Sequence, residues 1–456
     1  MPLSASSAAQ SRIDMADRPR APVRLLVADA DGRIYDHPDL LLAGERGAGP
    51  ERIRSTELIA LPRGSDLFAL PGRAPIGLTK RGRPVVQGEW LGSEARAVAA
   101  FLAPAHTAGH YAVWQTRAGA PALPTFAYAP VGFAEGRYWT SAFRCDADVR
   151  QDPWRFAPKR IEAGVLRKRA LLPRNRVARQ LEKCALEYGC RAAQNFFLGR
   201  HEAPLPTSSA CNAQCVGCIS LQPDGRFRAS HDRLGIPPTP KEIADVALSH
   251  FAERPNAVVS FGQGCEGEPL LFGKTLVEAV ARIRARHGRG TVNLNSNASK
   301  PEVVRELLAA GLDAIRASMN SPRPDVYAAY YQPRGYDVGD VIESLRIAAA
   351  AGAHTAINLL CFPGVTDTEP ELAALSELAE RTGLHMIQLR NLNIDPELYR
   401  ASLPAGTLMP GRGLRWLRDR LAKRFPRLRF GYFNPEIGPP PITRVAADSA
   451  PRRSRA

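Results

Sequence analysis

The chain lacks the features that mark membrane and secreted proteins. In 456 residues no uninterrupted apolar run approaches the ~18 residues that a bilayer span needs. Its most apolar stretch, Leu345–Phe362, is broken by Arg346, His354 and Asn358. Residues Met1–Ala21 are polar and of mixed charge, with no apolar core of a secretory signal, and Met15 is an alternative start. A cytoplasmic protein is expected. Cysteine is sparse, with 8 residues, and the length excludes a small disulfide scaffold. Lysine is scarce too: 53 of the 61 basic residues are arginine, a bias that coding composition produces without any function. No internal repeat or long low-complexity tract is visible. What remains, 45% hydrophobic and 23% charged residues, is the composition of a globular protein long enough for two domains.

The net charge of +16 is uneven. Residues 151–200 carry 12 Lys/Arg against 4 Asp/Glu, and residues 411–456 carry 12 against 3. Two such segments are candidates for binding RNA or another polyanion; an arginine-rich solvated surface is the plainer reading.

Hydrophobic patterning divides the chain. Residues 22–145 read as a small β-rich domain of unassigned role: short apolar runs such as Val23–Ala28 are closed by turn signals such as Asp31-Gly32. One helix is expected there, at Ser93–Leu102. Residues 146–204 form a basic helical connector, with Asn175–Leu198 its best helix. From 205 to 400 strand-like runs alternate with amphipathic helices, beginning with a strand at Leu205–Ser208. Such alternation demands a parallel sheet, because parallel strands need long crossovers. Six units are too few for a closed eight-unit barrel, so the expected fold is α/β, a partial (β/α)6 TIM-like barrel. A C-terminal helix and strand (401–438) and a disordered basic tail (439–456) complete the reading.

The first barrel strand runs into Cys211-Asn212-Ala213-Gln214-Cys215-Val216-Gly217-Cys218, a C-x3-C-x2-C loop at the end of a strand where α/β folds bind ligands. Three thiolates on one loop can each hold a separate iron of a cubane, which usually takes four cysteines. A missing fourth leaves one iron open to an external chelator. Thiolates are equally good zinc ligands, and His231 would complete a Cys3His site. On these residues alone the chain could also be a non-catalytic zinc or iron–sulfur protein, acting as a nucleic-acid-binding or scaffold module.

Farther along, Gly264-Cys265-Glu266-Gly267-Glu268-Pro269 follows the second strand, Asn295-Ser296-Asn297 the third and Ser318-Met319-Asn320 the fourth. From about Leu205 to Asp395 this order of motifs resembles the radical SAM superfamily. The resemblance implies a [4Fe–4S] cluster on Cys211, Cys215 and Cys218 and S-adenosyl-L-methionine held by Gly267, Glu268, Pro269, Asn295, Asn297 and Ser318. In the family the Gly-Gly-Glu-Pro element receives the methionine amino group through backbone carbonyls; here Glu266 replaces its first glycine. The expected activity is reductive cleavage of the cofactor to a 5′-deoxyadenosyl radical that modifies an unnamed substrate, with an electron donor such as flavodoxin or ferredoxin. Arg316, Gln388, Arg390 and Asn391 are candidates to face that substrate, although ordinary ion pairing is the simpler role for each. Gly217 departs from the family, which has an aromatic residue before the third cysteine. Cys145, Cys184 and Cys190 are candidates for an auxiliary cluster, with Cys265 or Cys361 as a fourth ligand. No cysteine follows Cys361, so the cysteine-rich C-terminal extension of many peptide-modifying relatives is absent from this sequence.

Overall fold

Gly and Pro punctuate residues 22–144 too closely for long helices, and in the computed structural model this region is all sheet apart from short turns. The structure describes residues 18–222, 225, 227 and 229–437; the expected tail at 439–456 lies outside them. Eleven antiparallel strands make one sheet. A representative hairpin joins Ala129–Ala134 to Arg137–Arg144 through Glu135 and Gly136, both at positive φ (53° and 74°). That two-residue turn matches the right-handed strand twist.

Ser93–Leu102 is not a helix. Ser93–Glu94 and Arg96–Phe101 are strands, the second pairing with Asp66–Leu70 and with Ala129–Ala134. Its alanines favour a helix in isolation. Here Ala97, Ala99 and Ala100 are buried in the middle of the sheet, where small side chains permit close packing. The expected helix at Asn175–Leu198 is two helices, Arg176–Leu186 and Arg191–Phe197. Gly189, at φ 62°, turns the chain between them. Asn175 caps the first, its side chain accepting from the Ala178 N–H.

The second sheet has seven parallel strands in chain order: Glu202–Pro204, Val258–Phe261, Thr291–Ser296, Ala314–Met319, His354–Cys361, Met386–Asn391 and Arg429–Gly431. Each of the first six is followed by a helix, so six β/α units are closed by a short seventh strand. The first strand lies three residues before its expected place. Leu205 still donates to Ser260 O, but the N–H groups of Thr207 and Ser208 turn to the buried Glu266 carboxylate (2.6 and 2.8 Å), which takes the chain out of the sheet.

Buried parallel strands normally carry apolar residues on both faces. Here Ser260, Asn293, Asn295, Arg316, Ser318, Asn358, Gln388 and Arg390 recur at alternate positions along successive strands. An inner face that polar leaves a space to fill. The β-rich region covers part of its mouth: Tyr111 stacks on Phe362 (4.9 Å between centroids), and the buried Arg73 meets Asp395 at 3.3 Å. Asn391 bridges to the same region, receiving the Ala108 N–H and donating to His106 O. No helix among the described residues is long and apolar enough to cross a membrane.

Candidate functional site

Above the inner face is a cavity of ≈ 440 Å³ at the strands' C-terminal ends. Cys211, Cys215 and Cys218 line it together with Gly267, Glu268, Pro269, Asn295, Asn297 and Ser318, so every residue expected to hold the cluster or its cofactor is gathered at one place. Backbone pairing does this. Gly267 donates to Ser208 O (2.8 Å) and Glu268 to Ala210 O (2.7 Å), tying the 264–269 segment to the residue before Cys211. A Cβ at Gly267 would fall 1.9 Å from Ala210 O, so only glycine permits the approach.

The two acids of the motif act as anchors. Glu266 accepts three backbone N–H groups, from Thr207, Ser208 and Gln263. Glu268 accepts from Ser296 Oγ, Leu270 N and Asn297 N, so both of its oxygens are engaged within the protein. Burial pushes each carboxyl up to about 7, against the N–H donors that favour the charged form. Asn297 is held by Asn212 (2.8 Å), and Asn295 by Gly262 O and Asn293. Ser318 differs: its hydroxyl makes no hydrogen bond among the described residues.

Burial pushes the thiols of Cys211 and Cys215 up; the charges of Glu268 and Cys218 add to it at Cys211, and those of Cys218 and Cys211 at Cys215. Arg233 opposes this with a guanidinium 3.6 Å from Cys218 Sγ. No motif singles out Arg233 in the sequence. Gly217 is adjacent to another unanticipated residue: a side chain there would meet the Tyr330 hydroxyl at 3.0 Å. Tyr330 lies in the last turn of the helix Pro324–Tyr331, receives the Val216 N–H on its carbonyl and lines the cavity. Its hydroxyl, with Asn393 O (3.2 Å), crowds the position where a side chain before Cys218 would begin.

The remaining cysteines are elsewhere. Cys265, inside the 264–269 segment, is buried against Cys184 and acts on Cys190, while Cys145 neighbours Cys361. Cys145, Cys184 and Cys190 are therefore not brought to one place. His231 packs on Tyr188 (5.0 Å) and does not line the cavity. Among the described residues no three His, Cys, Asp or Glu side chains close on a single ion. Thiols serving three different irons stand farther apart than ligands of one zinc.

Residues 205–375 match the family model described as the Radical SAM superfamily. The chain carries a radical SAM domain. Two curated relatives named GTP 3′,8-cyclase, from Heliobacterium modesticaldum and Streptomyces coelicolor, are each 35% identical, over 177 and 170 residues. The matches cover 37% and 36% of this chain and 49% and 46% of theirs, so the chain spans about half the length of these relatives. Among solved structures, a radical SAM methyltransferase from Sphaerobacter thermophilus matches with 16% identity, over 49% of this chain and 62% of its own, at a TM-score of 0.35. Methylornithine synthase matches with 14% identity, over 59% and 77%, at a TM-score of 0.37.

Radical SAM superfamily members use a [4Fe–4S] cluster and S-adenosylmethionine. The radical SAM domain fits both: three thiols and no fourth line the cavity among the described residues, and a free hydroxyl at Ser318 faces it. Of the residues expected to face a substrate, Arg316, Arg390 and Asn391 line the cavity, but Asn391 is tied to His106 and Ala108. Gln388 is held by Arg316 and Asn434. In the basic connector Lys168, Arg169, Arg176 and Lys183 are ion-paired with Glu253, Glu182, Glu242 and Asp232, which leaves less of its charge for a polyanion than the composition implies.

Proposed function

We propose that this chain is a radical SAM enzyme, with Cys211, Cys215 and Cys218 holding the cluster and S-adenosylmethionine spanning Gly264–Pro269 and Ser318. One observation carries the reading: the triad loop and the 264–269 backbone line the same cavity, while Cys265 turns its thiol away from it. When bound, the cluster and cofactor supply one-electron cleavage of a carbon–sulfur bond and hydrogen abstraction from an unactivated carbon. The chain's own residues position and enclose. Glu266 and Glu268 set the path of the 264–269 backbone, whose carbonyls suit the cofactor's amino group. Ser318 suits a ribose hydroxyl. Tyr330 offers an aromatic wall beside Gly217. Phe101 and Leu102 from the β-rich region line the cavity's apolar side.

An electron donor of the flavodoxin or ferredoxin type and a cytoplasmic setting accord with this chemistry. The decisive experiment is anaerobic reconstitution. Purified protein should bind about four irons with matching sulfide, change its reduced electron paramagnetic resonance signal on adding the cofactor, and release 5′-deoxyadenosine with dithionite. Replacing the three cysteines with Ala should abolish all three readouts. Tetrahedral zinc at the triad, with no response to the cofactor, would refute the proposal.

A further inference from the structure

Two arginines of the inner face have no visible counter-ion. Arg316, on the fourth strand, donates Nη1 to Gln388 Oε1 (2.9 Å) and to Asn434 Oδ1 (3.3 Å), both neutral amides. Arg390, on the sixth, donates Nη2 to Tyr432 O (2.7 Å) and lies with its guanidinium 3.6 Å from the Tyr432 ring centroid. Neither forms an ion pair with a carboxylate among the described residues, whereas the buried Arg73 and Lys168 both do. The carboxylate that Arg316 feels, Glu202, is held by Ser260 and by the Asn434 amide, which stands between them. The Nε atoms of both arginines and Oδ1 of Asn358, on the intervening strand, are buried without partners.

Two half-buried cations close enough to repel are costly unless something completes them. Burial and, after it, the neighbouring Arg390 pull Arg316 down to about 9. The C-terminal segment after the seventh strand nevertheless holds both in place, through Tyr432 and Asn434. Both line the cavity, with Leu360, Leu392, Phe101 and Leu102 as its apolar side. Geometry of this kind recognises a planar or tetrahedral oxyanion attached to a less polar body.

We propose that the substrate of this site carries an oxyanion, a carboxylate or a phosphate, bound between Arg316 and Arg390 with the remainder of the molecule against Phe101, Leu102, Leu360 and Leu392. This rests on the radical SAM reading of the cavity. The test uses the reconstituted full chain with its cofactor, and variants Arg316→Gln and Arg390→Gln. Thermal unfolding and calorimetry are followed with inorganic phosphate, with succinate, and with sodium chloride at matched ionic strength.

Phosphate or succinate should stabilise the native protein beyond the chloride control, the better anion naming the group. Each Gln variant should bind that anion about tenfold or more weakly, as expected for loss of a charge-assisted hydrogen bond. The variants should melt no lower than the native protein without anion, because a purely structural arginine would lower it. Arg390→Lys should restore part of the binding, keeping the charge but not the planar fork. Equal anion responses in native protein and variants would overturn the assignment. So would loss of cofactor cleavage in the variants, which would give the arginines to the cofactor's own carboxylate. Anion binding in a protein that never cleaves the cofactor would retain the oxyanion site and sink the radical SAM reading instead.

Discussion

Replacing Gly267 with Ala tests how the triad loop and the 264–269 segment are joined. The new Cβ would lie 1.9 Å from Ala210 O, and contacts under 3.0 Å are not tolerated, so the two backbones must separate by about 1.1 Å. Both hydrogen bonds between them, Gly267 N to Ser208 O and Glu268 N to Ala210 O, lengthen beyond use. Losing two such bonds costs about 1 kcal/mol each, and the steric misfit about 1–3 kcal/mol more. A loss of about 3–5 kcal/mol is expected in urea unfolding. A displacement of this size next to reacting groups lowers the rate by about 100-fold, read as 5′-deoxyadenosine formed per cluster, with iron content measured in parallel. Gly264→Ala is the control: its Cβ would meet the far end of the Ile219 side chain at 2.6 Å, and that methyl can rotate away. Native rates and stability in Gly267→Ala, or equal damage in both variants, would refute the reasoning.

Three further outcomes follow from buried groups. Burial pushes Glu371 up to about 8; Ser321 is the hydrogen-bond donor to one of its oxygens, and the other has no partner. Its folded pKa is raised, so its contribution to stability is present below the unfolded value near 4.5 and is lost as pH rises through about 8. Glu371→Gln should remove that decline, worth at most about 5 kcal/mol, in unfolding midpoints taken across the range; an unchanged pH profile would contradict it. Asp395→Ala leaves the buried Arg73, which joins the β-rich region to the barrel, with the more exposed and more distant Glu397 (3.9 Å) as its carboxylate, and should cost about 3 kcal/mol in urea unfolding, against less than about 1 kcal/mol if the pair contributed only as an exposed one does. Tyr330→Ala should weaken cofactor binding, and Gly217→Phe should restore it only in that background, since the native Tyr330 hydroxyl crowds that position; a Gly217→Phe chain that binds normally on its own would disprove the substitution of one ring for the other.

The period of the hydrophobic pattern shows through where an element is decided locally. Helices such as Glu369–Thr382, and strands such as His354–Cys361, follow from periodicity and end signals that act within one turn or one strand. The same holds for the triad loop, because three cysteines within eight residues are neighbours whatever the fold. Arg96–Phe101 went the other way. Its alanines favour a helix, and only pairing with partners from distant parts of the chain makes it a strand.

Sequence by itself was enough to establish six β/α units, a cysteine loop at a strand's C-terminal end and a second motif placed to meet it, since each is a matter of spacing along one short segment. Tertiary structure alone decided what those segments do to one another. It turned Glu266 and Glu268 into anchors, set Tyr330 beside Gly217, separated Cys145 from Cys184 and Cys190, and left Arg316 and Arg390 without a carboxylate. The reason is physical: burial, counter-ions and hydrogen-bond partners come from residues far apart in the chain, and a charge's worth depends on what surrounds it.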